Sequence, residues 1–284
     1  MNREILMNSN NISWYGVFKI IIFNILIILP LSSQAKVMSL KSIDESFKQK
    51  LLNWADENTV ILIEVDGTIM VPQSDMFAKS KSPYNNFINN LAKLGKRNDN
   101  YNSMIAQWYQ QRKVKLVDEQ WVEVIESLKE NGAKIFGICS HPIHLLNIEQ
   151  KRLYELGNFG IKFTNEIGNN AQFIIKKQGD WFARFDRGVI FTGPYSQSRI
   201  IMDFLRYTYI PKKLMIISHK EREIEHIDKK LRIFNIKFYS IKYYGAKQIS
   251  NKPIKEVVEF QQRELMTKKV WHEDESVKQI LNIR

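Results

Sequence analysis

The sequence predicts an α/β fold, a Rossmann-like parallel sheet flanked by helices, on three observations. Apolar, β-branched runs of strand length recur along the chain: TVILIEV at 59–65, KIFGIC at 134–139 and KLMIIS at 213–218. They lack the polar alternation of a sheet with one wet face, as strands buried on both faces do. Amphipathic helical patterns separate them, so the units are βαβ, and the right-handed crossover rule leaves few topologies. Chemistry in such folds gathers at the C-terminal ends of the strands.

The elements follow in order. Ser42, with Glu45 three residues on, forms a capping box, and Phe47, Leu51 and Trp54 make the helix's core-facing stripe. The strand at 59–65 runs into a loop at Gly67-Thr68. Residues 73–117 change character: they are polar, rich in Asn, Lys and Gln, with Tyr84, Phe87, Tyr101 and Trp108 scattered among them. This composition predicts a small helical cap inserted between core segments 36–72 and 118–284. Asp118 is expected to cap a helix carrying Trp121, Val122, Ile125 and Leu128, with Gly132 just past its end. Strand 134–139 leads into a helix over 144–156, and a less regular stretch covers 157–185. A short strand at 188–192, a helix at 196–207, strand 213–218, a helix at 221–234, strand 236–241 and a closing helix at 252–266 complete the pattern.

Composition narrows the function classes. The chain has 284 residues, formal charge +12 and one cysteine, which excludes a disulfide scaffold. Its richness in Lys, Asn and Ile is what an AT-rich genome produces, and lysine drift accounts for the charge without a nucleic-acid partner. Residues 20–31 (IIIFNILIILPL) follow Lys19 and precede Ser33-Gln34-Ala35, the pattern of a secretory signal peptide cleaved before Lys36. An uncleaved anchor is the competing reading, but twelve residues span only about 18 Å as a helix, against a hydrocarbon core of roughly 30 Å. Residues 1–35 are therefore expected to be a leader, and the protein to be exported, periplasmic or secreted. Losing Arg3, Lys19 and Glu4 with the leader leaves a net charge of +11 and no expected transmembrane helix.

The first strand ends in Glu64-Val65-Asp66-Gly67-Thr68, which places two carboxylates on one face of an extended segment. An acid that continues a buried strand needs a partner. ILIEVDGTIMVP resembles the first motif of the haloacid dehalogenase superfamily, an apolar strand followed by Asp-x-Asp-Gly-Thr. The resemblance extends through WVEVIESLKENGAKIFGICSHP, FDRGVIFTG and KLMIISHKEREIEHI. The tail is similar to an uncharacterised branch of secreted proteins from intracellular bacteria. The likeness implies a phosphoryl-accepting nucleophile at Glu64 and a general acid/base at Asp66. It implies phosphate contacts from Thr68, Cys139 or Ser140, His141 and Arg199. It also implies a Mg²⁺ held through Glu64, Asp66, Ser218 and His219.

The departures from the family pattern decide the functional expectation. Glu64 stands where Asp is usual, and its extra methylene displaces the carboxylate by about 1.5 Å, where misplacements near 1 Å can cost about 10²-fold. Cys139 stands at the phosphate-binding hydroxyl, with Ser140 as the alternative. Arg199 is the nearest cation to the position where a lysine begins the helix after GVIFTG. Ser218-His219 replaces the metal-binding acids. Only Asp66 is kept in type, so most of the charge stabilisation needed for phosphoryl transfer is missing. The expectation is a haloacid dehalogenase-like protein without phosphatase activity or resident cofactor, acting by binding, its partner an anionic ligand or surface. Two alternatives stand beside it: an active, divergent Mg²⁺-dependent phosphomonoesterase, and a basic protein that docks on acidic surfaces.

Other constellations carry less. Cys139, His141 and His144 resemble a zinc-ligand spacing but lack a fourth ligand. The Lys pairs at 176–177, 212–213, 229–230 and 268–269 are scattered, as on a solvated surface. No nucleic-acid module is recognisable.

Overall fold

A computed structural model describes residues 36–78, 82–95, 98–140, 148–231, 234 and 236–283. The expected leader at 1–35 and the residues His141 and His144 lie outside this set. The chain forms an α/β fold around a mostly parallel sheet of eight strands with helices against it.

In chain order the sheet strands are β1 (Lys36–Leu40), β2 (Thr59–Glu64), β5 (Lys134–Cys139), β6 (Gln172–Gln178), β7 (Trp181–Asp186), β8 (Val189–Phe191), β9 (Lys213–Ser218) and β10 (Lys237–Tyr243). A separate antiparallel pair joins β3 (Met70–Pro72) to β4 (Val114–Leu116). The helices are α1 (Glu45–Trp54), α2 (Phe87–Gly95), α3 (Asp99–Gln111), α4 (Trp121–Glu130), α5 (Ile148–Asn158), α6 (Gln197–Tyr207), α7 (Glu221–Leu231), α8 (Lys255–Lys268) and α9 (Asp274–Leu281). The spatial order of the sheet is β1-β10-β9-β2-β5-β8-β7-β6, and only the pairings β8–β7 and β7–β6 are antiparallel.

All six residues of β2 are buried, which accounts for its uninterrupted apolar reading. Its side chains alternate between two cores. Ile61 and Ile63 pack with Trp121, Ile125 and Leu128 on one face. Val60 and Leu62 pack with Phe136, Ile190 and Phe204 on the other. A third core joins Phe77, Ile105 and Trp108 from residues 73–117 to Ile148, Leu265 and Trp271.

The chain leaves β2 toward β5 and β8 on one side and returns to β9 and β10 on the other, so the connectivity reverses between β2 and β9. Such a reversal opens a crevice at the carboxyl ends of the strands. The right-angle exit from β2 is made by a tight loop. Val65 O accepts from both Ile69 N and Met70 N at 3.0 Å, and Gly67 takes φ +82° within it. A side chain is disfavoured in that region of backbone space.

Several local expectations are corrected. The α1 cap is Asp44, whose Oδ1 accepts from Phe47 N at 2.7 Å, and not Ser42. Helix α4 starts at Trp121, later than expected, and Asp118 Oδ1 accepts from Gln120 N at 3.1 Å at its foot. Asp118 Oδ2 accepts from Ile43 N at 2.9 Å and from the Tyr243 hydroxyl at 3.3 Å, tying the α1 lead-in to the end of β10. The stretch 157–185 holds an antiparallel hairpin, β6–β7, and the chain closes on α9 beyond α8. No helix among the described residues is long and apolar enough to cross a membrane.

Candidate functional site

Three strand ends and two helices meet at the connectivity reversal. Glu64 ends β2 with 1% exposure, so its charge must be met by protein groups. Four groups meet it. Gln197, at the start of α6, donates from Nε2 to Oε1 at 3.1 Å. The Ser218 hydroxyl, ending β9, donates to Oε2 at 2.5 Å. His219 Nδ1 lies 3.2 Å from Oε2. The Lys220 ammonium pairs directly with Oε1. The Lys220 backbone N–H also donates to Ser218 Oγ at 2.9 Å, which shapes the turn that aims the lysine inward.

Burial pushes the Glu64 carboxyl up, but the Lys220 ammonium and His219 overcome it and hold the group well below the usual carboxylate range. The lysine responds in kind. Burial lowers it, and Glu64 more than reverses this, leaving it above its ordinary value.

Asp66 is two residues on and belongs to a different cluster. Its Oδ1 lies 2.7 Å from Arg152 Nη2 and 3.4 Å from Arg112 Nη2. Arg152, on α5, is wholly buried and also pairs with Glu155 one helical turn on. Arg112 follows α3 and is 3% exposed. Its guanidinium lies 4.5 Å from the Trp108 ring centre and 4.8 Å from that of Tyr109. Burial lowers both arginines, yet Asp66 and Glu155 carry Arg152 above its ordinary value. Arg112 stays below its own, because Arg152 repels it.

Between these clusters lies a cleft of about 660 Å³, whose lining includes Asp66, Arg112, Ser140, Gln197, His219 and Lys220. Asn86, Asn89 and Trp108 come to it from residues 73–117, and Lys247 stands exposed at it. Gly193 closes one wall at φ +56°, where a Cβ would come within 2.2 Å of Phe182 O.

The structure sorts the sequence candidates. Glu64, Ser218 and His219 converge, and Asp66 stands at the cleft beside them. Ser140 lines the cleft and its Oγ accepts from Gln197 Nε2 at 2.7 Å. Cys139 is fully buried with its thiol pushed up by burial, so of the two alternatives Ser140 has the hydroxyl at the cleft. Thr68 is wholly buried and does not line the cleft, and its backbone O accepts from Trp121 Nε1 at 3.0 Å. Arg199 is exposed on α6 and does not line the cleft; Gln197 holds the position expected of a cation. Lys220, Arg112, Arg152, Glu155 and Gln197 were not among the candidates; Lys220, Arg112, Arg152 and Gln197 meet Glu64 or Asp66 only through the fold.

The donor set does not suit the Mg²⁺ that the resemblance implies. Mg²⁺ prefers hard oxygen ligands in near-octahedral array. The described residues contain no group of three or more His, Cys, Asp or Glu side chains placed to hold a metal. Glu64, the first of the implied ligands, already carries an ammonium and three further partners.

Fold and site together define an α/β protein with a Rossmann-like sheet and a buried, internally neutralised carboxylate at its connectivity reversal. The chain belongs to the DUF2608 family, described as a protein of unknown function, whose model matches residues 36–277. It is similar to the Uncharacterized protein RP296 of Rickettsia prowazekii (strain Madrid E), at 29% identity over 268 residues covering 93% of this chain and 98% of that protein. No solved structure matches.

Proposed function

We propose that this chain is an exported, haloacid dehalogenase-like protein that has lost phosphoryl transfer and works by binding a ligand in the cleft. One observation carries the reading: the Lys220 ammonium sits on the carboxylate that would have to be both nucleophile and metal ligand. A nucleophile must be free to attack in line, and Glu64 is held by four groups. Asp66, the implied general acid, is engaged by two guanidinia. The cap-like segment at 73–117 supplies one wall of the cleft, as a binding role requires. The leader sequence supports export.

A divalent-metal titration followed by a phosphatase assay on the same sample tests this. The expected result is no metal-dependent stabilisation and no hydrolysis of a generic phosphate ester, in the wild type and in Glu64→Asp alike. Mg²⁺-dependent hydrolysis that disappears in Asp66→Asn would overturn the proposal in favour of a divergent phosphomonoesterase.

A further inference from the structure

Asp66, part-exposed, and the buried Glu155, Arg112 and Arg152 balance in number of charges but not in geometry. Arg152 makes the close contacts to both acids, 2.7 Å to Asp66 and a direct pair with Glu155. Arg112 is left at 3.4 Å from Asp66 and 4.0 Å from Glu155. The Nε of each arginine has no hydrogen-bond partner among the described residues, and Arg112 is 3% exposed. A buried guanidinium with donors unspent costs more than one whose donors are met. Of the two arginines only Arg112 lines the cleft. The other cations there differ: Lys220 is paired to Glu64, and Lys247 is exposed.

We infer that Arg112 is the receptor for an oxyanion group, a carboxylate or phosphate, on a small polar ligand bound in the cleft. The guanidinium is pre-set for this. It is planar, always charged and braced on the Trp108 and Tyr109 rings, so little freedom is lost when an oxyanion docks on it. The amides of Asn86 and Asn89 line the same cleft and offer neutral donors and acceptors for the rest of the ligand. A cleft of about 660 Å³ accommodates a small molecule rather than a polymer. Asp66 competes with the ligand for Arg112, so the native site is tuned for exchange and not for permanent capture.

The inference rests on the binding reading above, and its test is separable from it. Inorganic phosphate and malonate are titrated into the purified protein at constant ionic strength set with chloride, following Trp fluorescence and heat. Saturable binding of at least one probe is expected. It should weaken at least tenfold in Arg112→Gln, less in Arg112→Lys, and tighten several-fold in Asp66→Asn, which removes the competing carboxylate. Phosphate binding without malonate binding would assign a phosphate ligand, and the reverse a carboxylate. Should Arg112→Gln fail to fold, the Asp66→Asn and Arg112→Lys titrations decide. No saturable binding of either probe, or affinities unchanged in Asp66→Asn and Arg112→Lys, would overturn the inference. Phosphate-ester turnover would overturn the function proposed above while leaving Arg112-dependent binding intact.

Discussion

Two carboxylates two residues apart on one strand end are neutralised in opposite ways. Glu64 is met by groups from the β9 end and the start of α6, at short range and on both oxygens. Asp66 is met by side chains from α5 and the segment after α3, through a four-charge network with one underused member. The first arrangement engages both oxygens of a buried carboxylate. The second keeps Arg152 and Glu155 away from the cleft and places Asp66 and Arg112 in its lining. Neighbouring positions with similar chemistry can therefore diverge in role according to which element delivers the counter-charge.

The largest expected effect separates the two arginines. Arg152→Met strips the close cation from the buried Glu155 and the part-exposed Asp66 and should destabilise by about 3–5 kcal/mol, the range for breaking a buried pair. Denaturant unfolding of the variant measures it. A loss under about 1 kcal/mol would mean that Arg112 can replace Arg152, and the asymmetry argued above would fail.

Lys220→Met comes next, at about 1–3 kcal/mol. The buried-pair value is reduced because the Lys220 side chain is 36% exposed and its pairing is partly screened. Its pH signature is sharper than its size. In the native protein the Glu64 pKa is depressed, so its contribution is fully present above the unfolded carboxylate pKa of 4.5 and is lost as pH falls below it. Without the ammonium, burial becomes the main influence and should raise that pKa. Stability would then increase as pH falls from neutral toward 5. Across that window the Glu64 contribution should leave the wild-type melts flat, while those of Lys220→Met should rise as pH falls.

Arg112→Gln should cost only about 1 kcal/mol, because the pairings it loses are long and an under-paired buried charge goes with them. A loss equal to that of Arg152→Met would remove the contrast between the two. Arg199→Gln is the smallest, expected within about 0.5 kcal/mol and without effect on oxyanion binding, as for an exposed side chain away from the cleft.

Legibility followed burial. Strands β2, β5 and β9 could be read to within a residue because their interiors are dry on both faces and apolar. The β6–β7 hairpin, QFIIKKQ and WFARFD, sits at the sheet edge with half its side chains wet, and its lysines and glutamines masked the strand pattern. At the site, Glu64, Asp66, Ser218 and His219 were legible because they are consecutive with buried strands. Lys220 was one residue further and went unmarked. In a chain with 42 lysines and arginines no local signal distinguishes a cation that will turn inward, and Arg112 and Arg152 gain their meaning only from contacts 46 and 86 positions away in the chain.

The parallel pairing of β1 with β10 has a consequence for the order of assembly. Lys36 stands in register with Tyr239, so the first strand of the sheet borders one that is synthesised about two hundred residues later. Until β10 is laid down, β1 has no partner, and an unpaired strand edge is an invitation to wrong pairing. Contacts this distant in sequence also slow folding. A chain that emerges amino-terminus first must keep residues 36–40 without their sheet partner through most of its synthesis.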